Sequence, residues 1–170
     1  LPAVAAAKAE LDSFDTIEGV AIRGGPQVAV LTGISLHGGL PATWTAQAVS
    51  AKTVVSALVE HWRSVGLPAY AQLDNDNRFH GPRQYADTVG RVIRLCLSLG
   101  VTPVFAPPNE TGFQAAIESY NGRWQAKVWS RFTHASIRGL SQRSVKYIAA
   151  ARKRSSARIE AAPRRRPFPR

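Results

Sequence analysis

The hydrophobic pattern changes period near residue 50, and that change limits the folds open to this chain more than any other feature. Ser13 to Ile22 alternates apolar and polar residues, as does Val28 to Leu36, and a third strand is expected over Leu40 to Thr45. The links Arg23-Gly24-Gly25-Pro26 and His37-Gly38-Gly39 carry turn residues, so the three strands should form an antiparallel meander. Beyond residue 50 the apolar residues Val54, Val55, Leu58, Val59 and Trp62 mark one face of a helix, stopped by Gly66-Leu67-Pro68. A short strand, Ala69 to Asp74, is followed by a helix over Thr88 to Leu99 and a fifth strand over Val101 to Phe105. A third helix runs from about Phe113 to Phe132, its apolar stripe formed by Phe113, Ile117, Tyr120, Trp124 and Val128. A last helix is expected over Ser141 to Arg152. The order β-β-β-α-β-α-β-α predicts an α/β chain: a mixed five-stranded sheet, three antiparallel strands and then parallel ones, with helices on both faces.

A chain of 170 residues, 45% apolar and 19% charged, has the material for one domain with a core. Its apolar runs are too short to span a bilayer. The lone Cys96 can form neither an internal disulfide nor a Cys-rich zinc site, which favours a reducing, cytoplasmic setting and a buried thiol. Met is absent throughout, so a piece of a longer protein is expected. The net charge of +11 lies at one end. Residues 1–130 carry ten basic and ten acidic side chains, whereas 131–170 carry twelve basic ones and only Glu160 (12 − 1 = 11). A basic end on a neutral body is a footprint for a polyanion, phosphate backbones above all. Its terminal stretch, Pro163 to Arg170, is expected to lack packed structure of its own.

Three carboxylates fall where this element order would gather them. Asp15 lies in the first strand, Asp74 ends the fourth, and Glu118 lies early in the helix after the Pro-rich loop Ala106 to Gly112. Carboxylates without His or Cys suit hard cations such as Mg²⁺ or Mn²⁺. Two such ions could clamp the attacking and leaving oxygens of a phosphodiester. On the third helix Gln114, Glu118, Asn121 and Gln125 share a polar face. Each acid taken alone reads better as an ordinary solvated charge than as a ligand, and Asp12 remains an alternative to Asp15.

The segment Gln114-Ala115-Ala116-Ile117-Glu118-Ser119-Tyr120-Asn121, approached through Pro107-Pro108-Asn109, resembles the segment around the catalytic Glu of retroviral integrases and related insertion-sequence transposases. Leu73-Asp74-Asn75-Asp76-Asn77-Arg78-Phe79 is similar to that family's second catalytic segment, and Phe14-Asp15-Thr16 to its first-strand Asp-Thr. Asp76 stands where the family usually has Gly. The 44 positions between Asp74 and Glu118 (118 − 74) exceed the usual gap, the surplus falling at His80 to Tyr85. The resemblance spans roughly residues 12–130. It implies a ribonuclease-H-like catalytic core (1–132) with a basic C-terminal helix and tail (133–170). It implies too that Asp15, Asp74 and Glu118 are both the catalytic residues and the ligands of two Mg²⁺ (or Mn²⁺) ions in a transposase or integrase that cleaves DNA and joins strands.

Asn121, Arg123, Lys127, Arg152, Lys153 and Arg154 are the expected DNA contacts. The expected partners are transposon ends, target DNA and a second copy of the chain, with no membrane and no small-molecule cofactor. No phosphate-binding Gly loop, zinc pattern or Gly-x-Ser-x-Gly elbow occurs, and His37, His61, His80 and His134 show no metal spacing. Two other readings stay open: a non-catalytic DNA-binding or assembly module, and a nuclease acting on RNA or RNA–DNA hybrids.

Overall fold

A computed structural model describes residues 11–23, 25–36, 38–74, 77–80, 89–105 and 114–170. Its strands are β1 (Leu11–Val20), β2 (Val28–Ser35), β3 (Pro41–Ala46), β4 (Tyr70–Leu73) and β5 (Thr102–Phe105). Its helices are α1 (Ala51–Val65), α2 (Asn77–His80), α3 (Arg91–Ser98), α4 (Ala115–Trp124), α5 (Ile137–Arg154) and α6 (Ser156–Glu160). The strands form one sheet in the order β3-β2-β1-β4-β5. β1–β2 and β2–β3 are antiparallel, whereas β1–β4 and β4–β5 are parallel, which is the expected mixed sheet. β2 is buried along its whole length because helices cover both faces.

Two hydrophobic clusters occupy those faces. Phe14, Leu31, Leu58, Trp62, Leu73, Phe79 and Cys96 pack under α1 and α3, while Ile17, Val30, Ile34, Ile117, Trp124 and Leu140 pack under α4 and α5. The two residue sets alternate along β1 and β2, as period-2 strands require. Helix α1 opens on a capping box. The Ser50 hydroxyl accepts from Thr53 N (3.2 Å), and Ser50 N donates to the Thr53 hydroxyl (3.3 Å). It closes at Gly66, whose φ of 87° is glycine territory. The helix expected to run on to Phe132 remains α-helical only to Trp124 and then widens into a π turn, Gln125–Trp129. That turn keeps both Trp124 and Val128 buried, and the His134 imidazole ring sits against the carbonyls of Val128 and Trp129 at its end. His134 is thus a packing histidine. Among the described residues no helix is long and apolar enough to cross a membrane. The segments 81–88 and 106–113, which include all of the surplus but His80 and the whole Pro-rich loop, lie outside the described residues, as do Asp76 and His37.

The C-terminal stretch corrects the expectation of an unpacked tail. Arg165 reaches into the body and pairs with Asp12, donating also to Gly66 O (3.1 Å) and to the Ser35 hydroxyl. Leu67 forms a β-bridge with Arg166, whose guanidinium donates to Gly100 O (2.6 Å) beyond the end of α3. Phe168 packs against the α1–α3 cluster with the Arg63 guanidinium over its ring. The reason is Asp12. It is 1% exposed, and Trp62 Nε1 (3.1 Å) alone cannot satisfy a buried carboxylate, so the tail supplies the counter-charge. His61 closes the same site, 3.9 Å from Asp12 and edge-on to Phe14 and Trp44.

Removing one member of such a pair strands the other, so Arg165→Gln should cost about 3 kcal/mol or more in urea unfolding. The neighbouring exposed Arg164→Gln should change stability by no more than about 0.5 kcal/mol. Burial, opposed by Asp12 and assisted by Arg165 and Arg152, lowers the His61 pKa from 6.5 to about 4. The unfolded chain therefore binds the extra proton first, and stability should fall as pH drops from 6.5 towards 4. Thermal unfolding across that window should show a flatter pH dependence in His61→Phe; an unchanged slope would exonerate His61.

Candidate active site

The β1–β4 register assembles the site. Phe14 on β1 pairs with Leu73 on β4, so Asp15 and Asp74 occupy the next positions along two neighbouring parallel strands. Strand neighbours lie about 4.8 Å apart, and equivalent positions point to the same face. Both residues are half-buried, at the carboxyl end of β4 where an open α/β sheet forms its crevice. Helix α4 lies across β1 and β2 on that face, and its first turn brings Glu118, exposed, to the same rim. The N-terminal end of a helix favours a negative charge there.

Asp15 is the best-defined member. Its Oδ1 accepts from Thr16 N (2.7 Å) and its Oδ2 from Asn121 Nδ2 (2.7 Å). Asn121 follows Glu118 by three residues and shares its helix face, so one turn of α4 delivers both a carboxylate and a donor to β1. The orientation of the amide follows from chemistry, since only the nitrogen end can face an ionised Asp15. Its Oδ1 is then buried with no hydrogen-bond partner among the described residues. Burial raises the Asp15 pKa above 3.8; the Thr16 and Asn121 hydrogen bonds oppose the rise, and the fields of Asp74 and Glu118 add to it. Two negative fields, those of Asp74 and Glu118, therefore meet at the Asp15 carboxyl, an arrangement that a cation would relieve.

The donor set fits a hard divalent ion in kind: carboxylate oxygens, with neither thiolate nor imidazole. Among the described residues, however, no three His, Cys, Asp or Glu side chains stand close enough to hold a metal by themselves. Asp12 belongs to a different site, engaged with Arg165, Trp62 and His61 on the face under α1.

The expected DNA contacts separate. Asn121 is buried against Asp15, while Arg123 and Lys127 are exposed on α4 and the π turn. Arg152 is half-buried and donates Nε and Nη2 to Pro41 O (3.2 and 3.0 Å), holding α5 to the edge strand β3. Lys153 and Arg154, one and two residues further, are exposed. Sequence reasoning placed Asn121 on the correct helix face but missed its bond to Asp15. The role of Arg165 left no signal within its run of arginines.

No protein-family model matches the chain, and no curated protein matches it. Solved structures do resemble it. A chain of the simian T-cell lymphotropic virus intasome, in complex with the PP2A regulatory subunit B56 gamma, superposes over 95% of this chain at a TM-score of 0.71 and 13% identity. This chain spans 58% of that chain's length. The catalytic core domain of BIV integrase superposes over 81% of this chain and 82% of its own, at a TM-score of 0.58 and 15% identity. Likeness at such identities establishes the fold: this chain has the integrase-like, ribonuclease-H-like α/β architecture of retroviral integrase catalytic cores.

Proposed function

We propose that this chain is the catalytic core of a DNA transposase or integrase, a metal-dependent polynucleotidyl transferase that cleaves phosphodiester bonds and joins strands. The observation that carries the reading is the meeting of the Asp74 and Glu118 fields at Asp15, set up by the β1–β4 register and by α4. In this reading Asp15, Asp74 and Glu118 hold two Mg²⁺ (or Mn²⁺) ions, which would lower the pKa of the attacking hydroxyl or water and neutralise charge at phosphorus. Asn121 positions Asp15 by holding Oδ2. Arg123, Lys127, Lys153 and Arg154, all exposed, supply sequence-independent attraction to phosphates that weakens with salt, and Arg152 acts through the wall it holds at Pro41. DNA ends, target DNA and a second copy of the chain are the partners of this reading.

A non-catalytic DNA-binding module is favoured by one observation, that the described carboxylates do not close on an ion. Plasmid nicking in Mg²⁺ or Mn²⁺ separates the two. The catalytic reading expects nicking by the chain and a loss of at least about a hundredfold in Glu118→Gln, with salt-sensitive DNA binding retained. Nicking that survives intact in Glu118→Gln removes Glu118 from the chemistry. Binding without nicking, with no stabilisation by metal, assigns the module.

The raised pKa gives a second test. A carboxyl that holds its proton more tightly when folded adds stability below its unfolded value of 3.8, and that stability is lost as pH rises through the folded value. At neutral pH the ionised site is therefore a net cost, which a bound cation offsets. Added Mg²⁺ should raise the thermal midpoint at neutral pH, and the gain should shrink as the pH approaches 3.8. It should vanish in Asp74→Asn/Glu118→Gln. A midpoint indifferent to both Mg²⁺ and Mn²⁺ at neutral pH would remove the ions from the reading.

A further inference from the structure

A second polar site lies on the far side of Glu118, between the β2–β3 turn and helices α4, α5 and α6. We propose that this cleft binds a phosphate-bearing anion, gripped by Arg123, Arg154 and Arg158. Its volume is about 430 Å³, within the range of about 300–1,000 Å³ common for small-ligand sites. The three arginines reach it from three different helices. Among the described residues none of them has an ion pair or hydrogen bond, and no acidic side chain lines the cleft. Ser119, Tyr147 and Ser155 add hydroxyl groups to the lining.

Charge decides between a ligand and mere helix capping. The carboxyl end of α5 presents about half a negative charge, which two arginines near it could complement at little cost. Three guanidiniums exceed that several-fold, and Arg152, bonded to Pro41 at the cleft wall, adds a fourth positive charge nearby. Like charges gathered without a counter-ion destabilise a fold, so the arrangement calls for an anion from outside. Guanidinium forks match phosphate oxygens in pairs, better than a lone carboxylate would fill this space.

The cleft is also pre-formed. Gly38 and Gly39 adopt φ of 78° and 75°, and a Cβ on Gly38 would stand 2.8 Å from Ile159 Cα. One on Gly39 would stand 3.1 Å from Arg158 Nη2. The turn therefore seats α6 directly on backbone, and Arg158 is presented against it without a side chain intervening. Ser119 adjoins Glu118 and Arg123 follows it by five residues, so a nucleic-acid strand passing Glu118 could supply the phosphates; a free polyphosphate could as well. Only the strand as source rests on the function proposed above, since the cleft would bind phosphate whether or not the carboxylates cut DNA.

Isothermal titration of the chain with inorganic triphosphate and, separately, with a short oligothymidylate tests the site. The variant Arg123→Gln/Arg154→Gln/Arg158→Gln is compared with a control of equal charge loss, Arg23→Gln/Arg138→Gln/Lys146→Gln, at three exposed positions outside the cleft. The cleft variant should bind at least about tenfold more weakly than the control, and its salt slope should drop by roughly one per arginine removed. Should the triple variant misfold by circular dichroism, Arg123→Gln alone should still weaken binding about threefold or more beyond Arg23→Gln. Loss confined to triphosphate assigns a free polyphosphate, and loss confined to the oligonucleotide assigns a strand. Equal losses in cleft and control variants, or no binding of either probe by the parent chain, overturn the proposal. Both titrations are run without divalent metal, which separates this test from that of the nicking activity.

Discussion

β1 exchanges hydrogen bonds antiparallel with β2 on one side and parallel with β4 on the other, and most of what the molecule can do depends on the second pairing. A parallel neighbour requires a crossover, and α1 provides it, carrying the chain from β3 at one edge over the sheet face to β4. The crossover is anchored by Trp62, which is fully buried and edge-on to Phe14. With Phe14 held opposite Leu73, Asp15 and Asp74 must fall side by side. A slip of one residue would turn Asp15 into the hydrophobic cluster under α1. The same packing that stabilises the core therefore fixes the spacing of two candidate ligands.

Two aspartates on one strand meet opposite fates for a reason of burial and partnership. Asp12 is enclosed and neutralised by Arg165, which closes a contact between residues 153 positions apart. Asp15 has two neutral donors, Thr16 N and Asn121 Nδ2, and two negative neighbours, so its charge is left in excess. A protein can tolerate such an excess where the energy is recovered on binding a cation, and sites of this sort are where displaced pKa values gather.

The basic C-terminal end likewise divides into two kinds of charge. Arg165, Arg166 and Arg152 are turned inward to carbonyls or to Asp12, and they tie the tail and α5 to the body. Arg154 and Arg158 remain uncompensated at the cleft beside the β2–β3 turn. The formal charge of +11 therefore does not by itself say which cations are free to meet a polyanion. Several of the exposed cations, Arg123, Lys127, Lys153, Arg154 and Arg158 among them, lie on the helical segments that follow β5.

Much of the fold was legible in the sequence because strands and helices bury alternate or every third to fourth residue. Val28 to Ser35 and the stripe Ile117, Tyr120, Trp124, Val128 announce their elements through that period alone. Asp74 could be placed at a strand end and Glu118 on a polar helix face by the same reasoning. Sequence periodicity carries no information about which distant groups meet. It gave no sign that Asn121 would bond Asp15, that Trp124 would widen into a π turn, or that Arg165 rather than Arg164 would enter the body. Those outcomes depend on long-range burial: a buried carboxylate must find a cation, and a buried amide a donor or acceptor, wherever the chain can deliver one. The order of elements, the two apolar faces and the candidate acids follow from residue order and period alone. Which charges neutralise one another within the molecule, and which stay open to a ligand, depends on contacts between residues far apart in the chain.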